Sequence, residues 1–433
     1  MGNSILKKAF SNKVGDIIFL ALCAAIFTAS MCHWIVDMSY KYVPSQVGTM
    51  HVDFMWLFWL ETSAVIYYVF KYFYLQKKVI IFDFGELLLT QILVLAAVLD
   101  YNKESYAAVS YAWMLPMVYM VGKYAIGRDE YINQRIRWIY MSLAMGALAI
   151  TILDYYNFYR YYGVEDTFTG AWFGFWTHEY QDRCTMGFGL VMVISGLGYY
   201  CYQNKKMSLK ISFVIAVIFS QVWAFSTTSR TEPLILLITI SICLIMFSVD
   251  KWFSDTKRYR KFLVKICLIF VGIFCVVLSA FLCNAFDLYD IYSKSRWADE
   301  GGILRNVRFS MDWEGFVAMI NNPLEDYEIT KGLPKPHSML LEYGRVYGFT
   351  IYVGLVLFRL LIIKDAILLS VKKTYDAKIK YLLIPLFICV NLYYAMEPNG
   401  YARRYFWMPG LLISGMIRGW LDNDSDKTIR NKG

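Results

Sequence analysis

Residues 321–348 read NNPLEDYEITKGLPKPHSMLLEYGRVYG. This polar stretch ends a long excursion that leaves one apolar run at Phe281 and enters the next near Tyr352. Both flanking runs are long enough to cross a bilayer. The excursion carries Arg296, Arg305, Arg308 and Arg345 together with His337, one of four histidines beside His33, His51 and His178. Loops of this length without a function are uncommon. The proline-flanked histidine therefore marks a candidate site, and the apolar runs around it mark the frame that holds it.

The rest of the chain fits that frame. Of its 433 residues, 58% are hydrophobic, 18% aromatic and only 18% charged. A soluble domain has about a quarter charged residues and lacks repeated apolar runs of twenty. Counting runs of that length predicts about twelve spans. They lie near 14–36, 54–74, 79–99, 106–126, 137–155, 185–203, 209–227, 232–249, 262–283, 346–363, 380–396 and 405–419. The expected fold is an all-α polytopic membrane protein with one long extracytoplasmic loop between its ninth and tenth helices. In that division residues 1–283 hold the first nine helices and an outer loop at 156–184. Residues 284–345 form the large outer loop with short helices, 346–419 the last three spans, and 420–433 a polar, disordered cytoplasmic tail.

The net charge of +9 raises the question of nucleic acid, but the basic residues sort by side of the membrane. Clusters at Lys71/Lys77/Lys78, Arg128/Arg135/Arg137, Lys205/Lys206/Lys210, Lys251 to Lys265 and Lys364 to Lys380 alternate with lysine-poor connections. By the positive-inside rule both termini are cytoplasmic, and no nucleic-acid partner is called for. The lysine-poor outer connections instead carry arginine, including Arg160, Arg183, Arg230, Arg403 and Arg404. Arginine offers a planar fork to phosphate oxygens, although each of these would also serve as a snorkelling interfacial anchor. Six of the nine cysteines fall inside apolar runs, where they are small hydrophobes. Lys7, Lys8 and Lys13 precede a run too long for a signal peptide, so it reads as a retained first span.

Three constellations could carry chemistry. Arg230 lies in FSTTSRTEP, where Pro233 suits the first turn of a helix and Thr231 or Glu232 could cap it. An arginine there would join backbone N–H groups that already favour an anion. His337 follows Pro334 and Pro336 and precedes the helical pattern SMLLEYG, which predicts the imidazole in the first turn. The positive helix end would hold it neutral; the alternative is a solvated loop histidine. Gly344 and Gly348 permit close helix approach or a sharp change of direction. Last, Glu61 and Glu86 lie inside the second and third spans, where carboxylates are candidates for proton or ion relays.

With those residues in view, the chain resembles the O-antigen polymerase and O-antigen ligase superfamily of bacterial cell envelopes. The resemblance rests on Ser229-Arg230 at an outer helix end, the Asn322-Pro323 turn before His337, and the following LLEYGRVYG, similar to the family's H-x-x-x-L-E…G…G ending. The segment TFTGAWFGFWTHEYQDRCTMGFGL, with Arg183, is similar to the family's earlier outer loop. One departure is Ser338 after the histidine, where the family more often has asparagine.

The resemblance implies a multi-pass enzyme of the bacterial inner membrane performing inverting glycosyl transfer at its outer face. The donor would be an oligosaccharide on undecaprenyl pyrophosphate. The acceptor would be a second lipid-linked repeat unit for a polymerase, or lipid A core for a ligase. His337 and Arg230 would be catalytic, with Arg183, Arg296, Arg305, Arg308, Arg345 and Glu342 contacting pyrophosphate or glycan. A chain-length regulator protein is a candidate partner, and neither metal nor cofactor is required by this chemistry. A flippase or other transporter is the competing class, with Glu61 and Glu86 as its best support.

Overall fold

The computed structural model describes residues 82–100, 106–125, 136–148, 171–173, 180–204, 206–226, 231–252, 307–321, 336–371, 379–396 and 407–430, with isolated positions besides. Among these the chain is helical, with one short hairpin. The helices are α1 (Phe84–Asp100), α2 (Tyr106–Ala125), α3 (Ile136–Leu148), α4 (Arg183–Asn204), α5 (Met207–Ser226) and α6 (Thr231–Trp252). They continue as α7 (Val307–Asn321), α8 (Met339–Tyr347), α9 (Phe349–Val371), α10 (Lys380–Met396) and α11 (Trp407–Arg430). Strands β1 (Ala171–Phe173) and β2 (Tyr180–Asp182) pair antiparallel, Ala171 opposite Asp182, immediately before α4. This hairpin interrupts the expected outer loop 156–184.

Most expected spans coincide with helices because an apolar run bounded by charge or turn residues has few other ways to satisfy its backbone. Of the predicted spans, 14–36 and 54–74 lie outside the described residues, and 262–283 is described only at isolated positions. Twenty residues of α6, Thr231–Asp250, are long and apolar enough to cross a membrane, the one helix among the described residues to meet that measure. Shorter apolar stretches lie in α1, α3, α4, α5 and α10. Large apolar side chains also face outward, such as Val98, Ile215, Ile218, Leu237, Ile245 and Leu360. A helix apolar all round has no water-facing side.

The helices pack as two groups. In one, α2 contacts α1 and α11, and α9 contacts the same two helices, and in the other α4 meets α5 and α6. Helix α10 touches α4 and α6 on one side and α9 and α11 on the other, so it joins them. Its Leu382, Leu383, Cys389 and Val390 are fully buried. Among the described residues α2 and α11 approach backbone to backbone. A β-carbon on Gly415 would run into the Tyr119 carbonyl oxygen, and one on Gly419 into that of Lys123. Small residues four apart let two backbones meet in this way.

Two boundaries differ from expectation. The predicted span 346–363 is in fact the end of α8, a break at Gly348, and the longer α9. The tail after Trp420, expected to be disordered, continues α11 to Arg430. Burial runs on through Leu421, and Arg418 pairs with Asp422 one turn later at 3.2 Å. Such a pair extends a helix that packing has already nucleated.

Candidate functional site

His337 sits where α7 lies across the start of α8. Pro336 is buried, and a β-carbon on Gly315 of α7 would come within 3.1 Å of its ring, so the two elements pack backbone to ring. The side chain of Asp312, also on α7, accepts the His337 backbone N–H at 2.6 Å. The histidine is thereby held from a helix 25 residues earlier in the chain. This corrects the expected first-turn position. Helix α8 begins at Met339 with Ser338 as N-cap in extended conformation (φ −124°, ψ 128°), which leaves His337 one residue outside. The side chain is half-buried.

Helix α8 is short but almost wholly buried. Tyr343 packs edge-on against Trp407 of α11, ring centroids 5.2 Å apart. Gly344 is where α7 and α9 both come close, because a β-carbon there would meet Met319 and Tyr352. Gly348 then turns the chain with φ 91°, a region that favours glycine, and donates its N–H to the Gly344 carbonyl at 2.8 Å. The next residue, Phe349, donates to the Pro323 carbonyl at 3.2 Å. The proline of the Asn-Pro turn thus docks on the α8–α9 junction. Both glycines do what their spacing suggested, one by close approach and one by change of direction.

Glu342 and Arg345, both expected to contact substrate, are paired with each other. Arg345 donates through Nε and Nη2 to the two carboxylate oxygens at 2.9 and 2.8 Å, with both side chains buried. The guanidinium charge is therefore met inside its own helix. Of the other expected ligands, Arg230, Arg296 and Arg305 lie outside the described residues, as do Glu61 and His178. Arg230 immediately precedes Thr231, the first residue of α6, and Pro233 does fall in the first turn. Arg183 is the first residue of α4, and Arg308 stands second in α7, one turn before Asp312.

Glu86 has a role in the fold. Asp83 and Glu86 cap α1 reciprocally: the Glu86 N–H donates to Asp83 at 2.9 Å and the Asp83 N–H to Glu86 at 2.7 Å. Lys123, near the end of α2, donates to Asp83 at 2.9 Å and to Glu86 at 3.2 Å. Arg418 joins Asp83 to Asp365 at 3.5 and 3.4 Å. This network ties α1, α2, α9 and α11 together at one end of the bundle.

Two residues escaped the sequence reading. Asp312 had no local signal, since its partner is 25 residues away. Arg359 did have one, being a lone arginine inside the apolar run FTIYVGLVLF-R-LLII. It donates to the Asn391 side-chain oxygen and lies over the Tyr394 ring at 5.4 Å. It lines a cavity with Met339, Leu340, Trp407 and Ser414. No protein-family model matches the chain, and no curated protein matches it.

Proposed function

We propose that this chain is a multi-pass glycosyltransferase of the inner membrane, a polymerase of surface polysaccharide. It joins undecaprenyl-pyrophosphate-linked repeat units at the outer face. The observation that carries the reading is the built surround of His337. A solvated connector would not have its backbone pinned by a carboxylate, its preceding proline packed on a glycine, and a buried ion pair on the helix that follows.

In the proposed reaction His337 takes the proton of an acceptor hydroxyl. The hydroxyl oxygen then bonds to the anomeric carbon as that carbon's bond to the pyrophosphate oxygen breaks, inverting the centre. Arginines stabilise the charge on the departing pyrophosphate. Arg230 and Arg183 head the set for that role, joined by one of Arg296, Arg305 or Arg308. Arg345 leaves it, because Glu342 already compensates its charge. About twelve spans remain the proposed arrangement, supported by helices with outward apolar faces. The competing transport reading loses Glu86, which is committed to the α1 cap and to Lys123.

Envelope glycans from a strain deleted for this gene test the proposal. Loss of a polymerase leaves lipid A core capped with a single repeat. Polymer stranded on its lipid carrier would identify a ligase, and an unchanged glycan profile would end the glycosyltransferase reading.

A further inference from the structure

Helix α7 has two apolar faces, and its packing on α8 uses only one. On that side Gly315 lies against Pro336 and Met319 against Gly344, with Ala318 buried beside them. Asp312, which holds the His337 N–H, belongs to the same side. On the far side stand Trp313, Val317 and Ile320, four and three residues apart, a spacing that aligns them in one stripe. They are 60%, 36% and 48% exposed. Single exposed apolar residues are ordinary. Three in register over two turns form a patch, and a patch marks a surface that something covers. Glu314 is exposed at its polar edge.

The stripe does not end with α7. Trp313 meets Phe316 with ring centroids 5.9 Å apart, Phe316 meets Tyr352 of α9 edge-on at 6.2 Å, and Tyr352 stacks on Phe349 at 6.4 Å. The Phe349 N–H bond to the Pro323 carbonyl joins the same two elements through the backbone. Phe349 opens the outward face of α9, which runs on through Val353, Leu357, Leu360, Ile367 and Val371, all exposed. Steps of three, four or seven residues keep them on one side of the helix. At about 1.5 Å per residue that face is about 33 Å long, a match to a hydrocarbon core of about 30 Å. Lys364 is exposed towards its far end, where a long side chain snorkels to the interface. The lipid-facing wall of α9 therefore continues, through a ladder of aromatic rings, into the exposed stripe of α7. A short amphipathic helix with tryptophan on its apolar side, placed at the end of such a wall, has the composition of an interfacial helix.

We propose that α7 docks on the outer leaflet of the bilayer, with Trp313, Val317 and Ile320 seated at the boundary between headgroups and acyl chains. The docked helix is the one whose other face holds His337, so the surround of that histidine is anchored to the leaflet. The proposal rests on the membrane-spanning part of the reading above and is independent of its chemistry.

The experiment places a photoreactive phenylalanine analogue at position 313, 317 or 320 of the full chain, with 314 and 360 as controls, and illuminates intact membranes of the expressing cells. All five side chains are exposed, so the fold has room for the probe. Mass spectrometry of the purified chain identifies what each position has captured. Lipid adducts are expected at 313, 317, 320 and 360, with a several-fold lower yield at 314. Adducts to a second copy of the chain or to another protein in place of lipid would overturn the proposal, as would a yield at 314 equal to that of the stripe. Lipid at 360 alone would overturn the docking and leave the membrane-spanning reading standing. Lipid at none of the positions would remove that reading and the docking with it.

Discussion

Replacing Glu342 separates a structural role from a substrate-binding one at the helix after His337. Glu342 and Arg345 are 2% and 6% exposed and meet fork to fork through hydrogen bonds of 2.8 and 2.9 Å. Glu342→Gln keeps the shape and one acceptor but removes the charge, leaving a buried guanidinium opposite a neutral amide. Breaking a buried pair from one side costs about 3–5 kcal/mol, and the retained acceptor sets the expectation near the lower end. Removing both charges with Glu342→Leu and Arg345→Met takes away the uncompensated ion as well. That double variant should return to within about 1 kcal/mol of wild type. Unfolding of the purified protein in mild detergent, followed by tryptophan fluorescence with both single variants and the double, completes the cycle. A Glu342→Gln midpoint equal to wild type, or a double variant no better than the worse single, would show that the pair does not hold α8. A stable double variant that makes no polymer would instead return one of the two residues to substrate contact.

Three further outcomes are expected. His337→Ala should abolish visible polymer in a deletion strain while leaving membrane levels intact, since a general base contributes about two to four powers of ten in rate; normal-length glycan would reduce the loop to a binding element. Lys123→Met strands the buried Glu86 carboxylate, Asp83 keeping Arg418 at 3.5 Å, and should cost about 3 kcal/mol in the same unfolding assay, with recovery on adding Glu86→Gln, which keeps the capping bond. Gly415→Leu drives a side chain into the Tyr119 carbonyl and should cost at least about 1–3 kcal/mol, read as a lower melting temperature, whereas the same change at Gly272, with open space around it, should cost far less.

The apolar run is a local signal, and where it alone sets a helix the sequence was enough. Helix α10 occupies the predicted 380–396, and α2 and α6 fall within a few residues of their predicted bounds. The Asp83-x-x-Glu86 spacing of a capping box was also present in the chain, but Glu86 read as a relay until Lys123 was seen beside it. Boundaries set by distant partners were not legible. The break at Gly348 depends on the Pro323 carbonyl and on Met319 crowding Gly344, and the length of α11 depends on burial that continues to Leu421. The site divides in the same way. His337 stood out by composition and by its prolines, whereas its hold by Asp312 exists only once α7 has folded across it. The three-residue spacing of Glu342 and Arg345 was plain, but burial turns that spacing into a closed pair, because in low dielectric a guanidinium takes the nearest carboxylate. Charge compensation is a property of the folded interior, and a chain read in order contains residues without their neighbours.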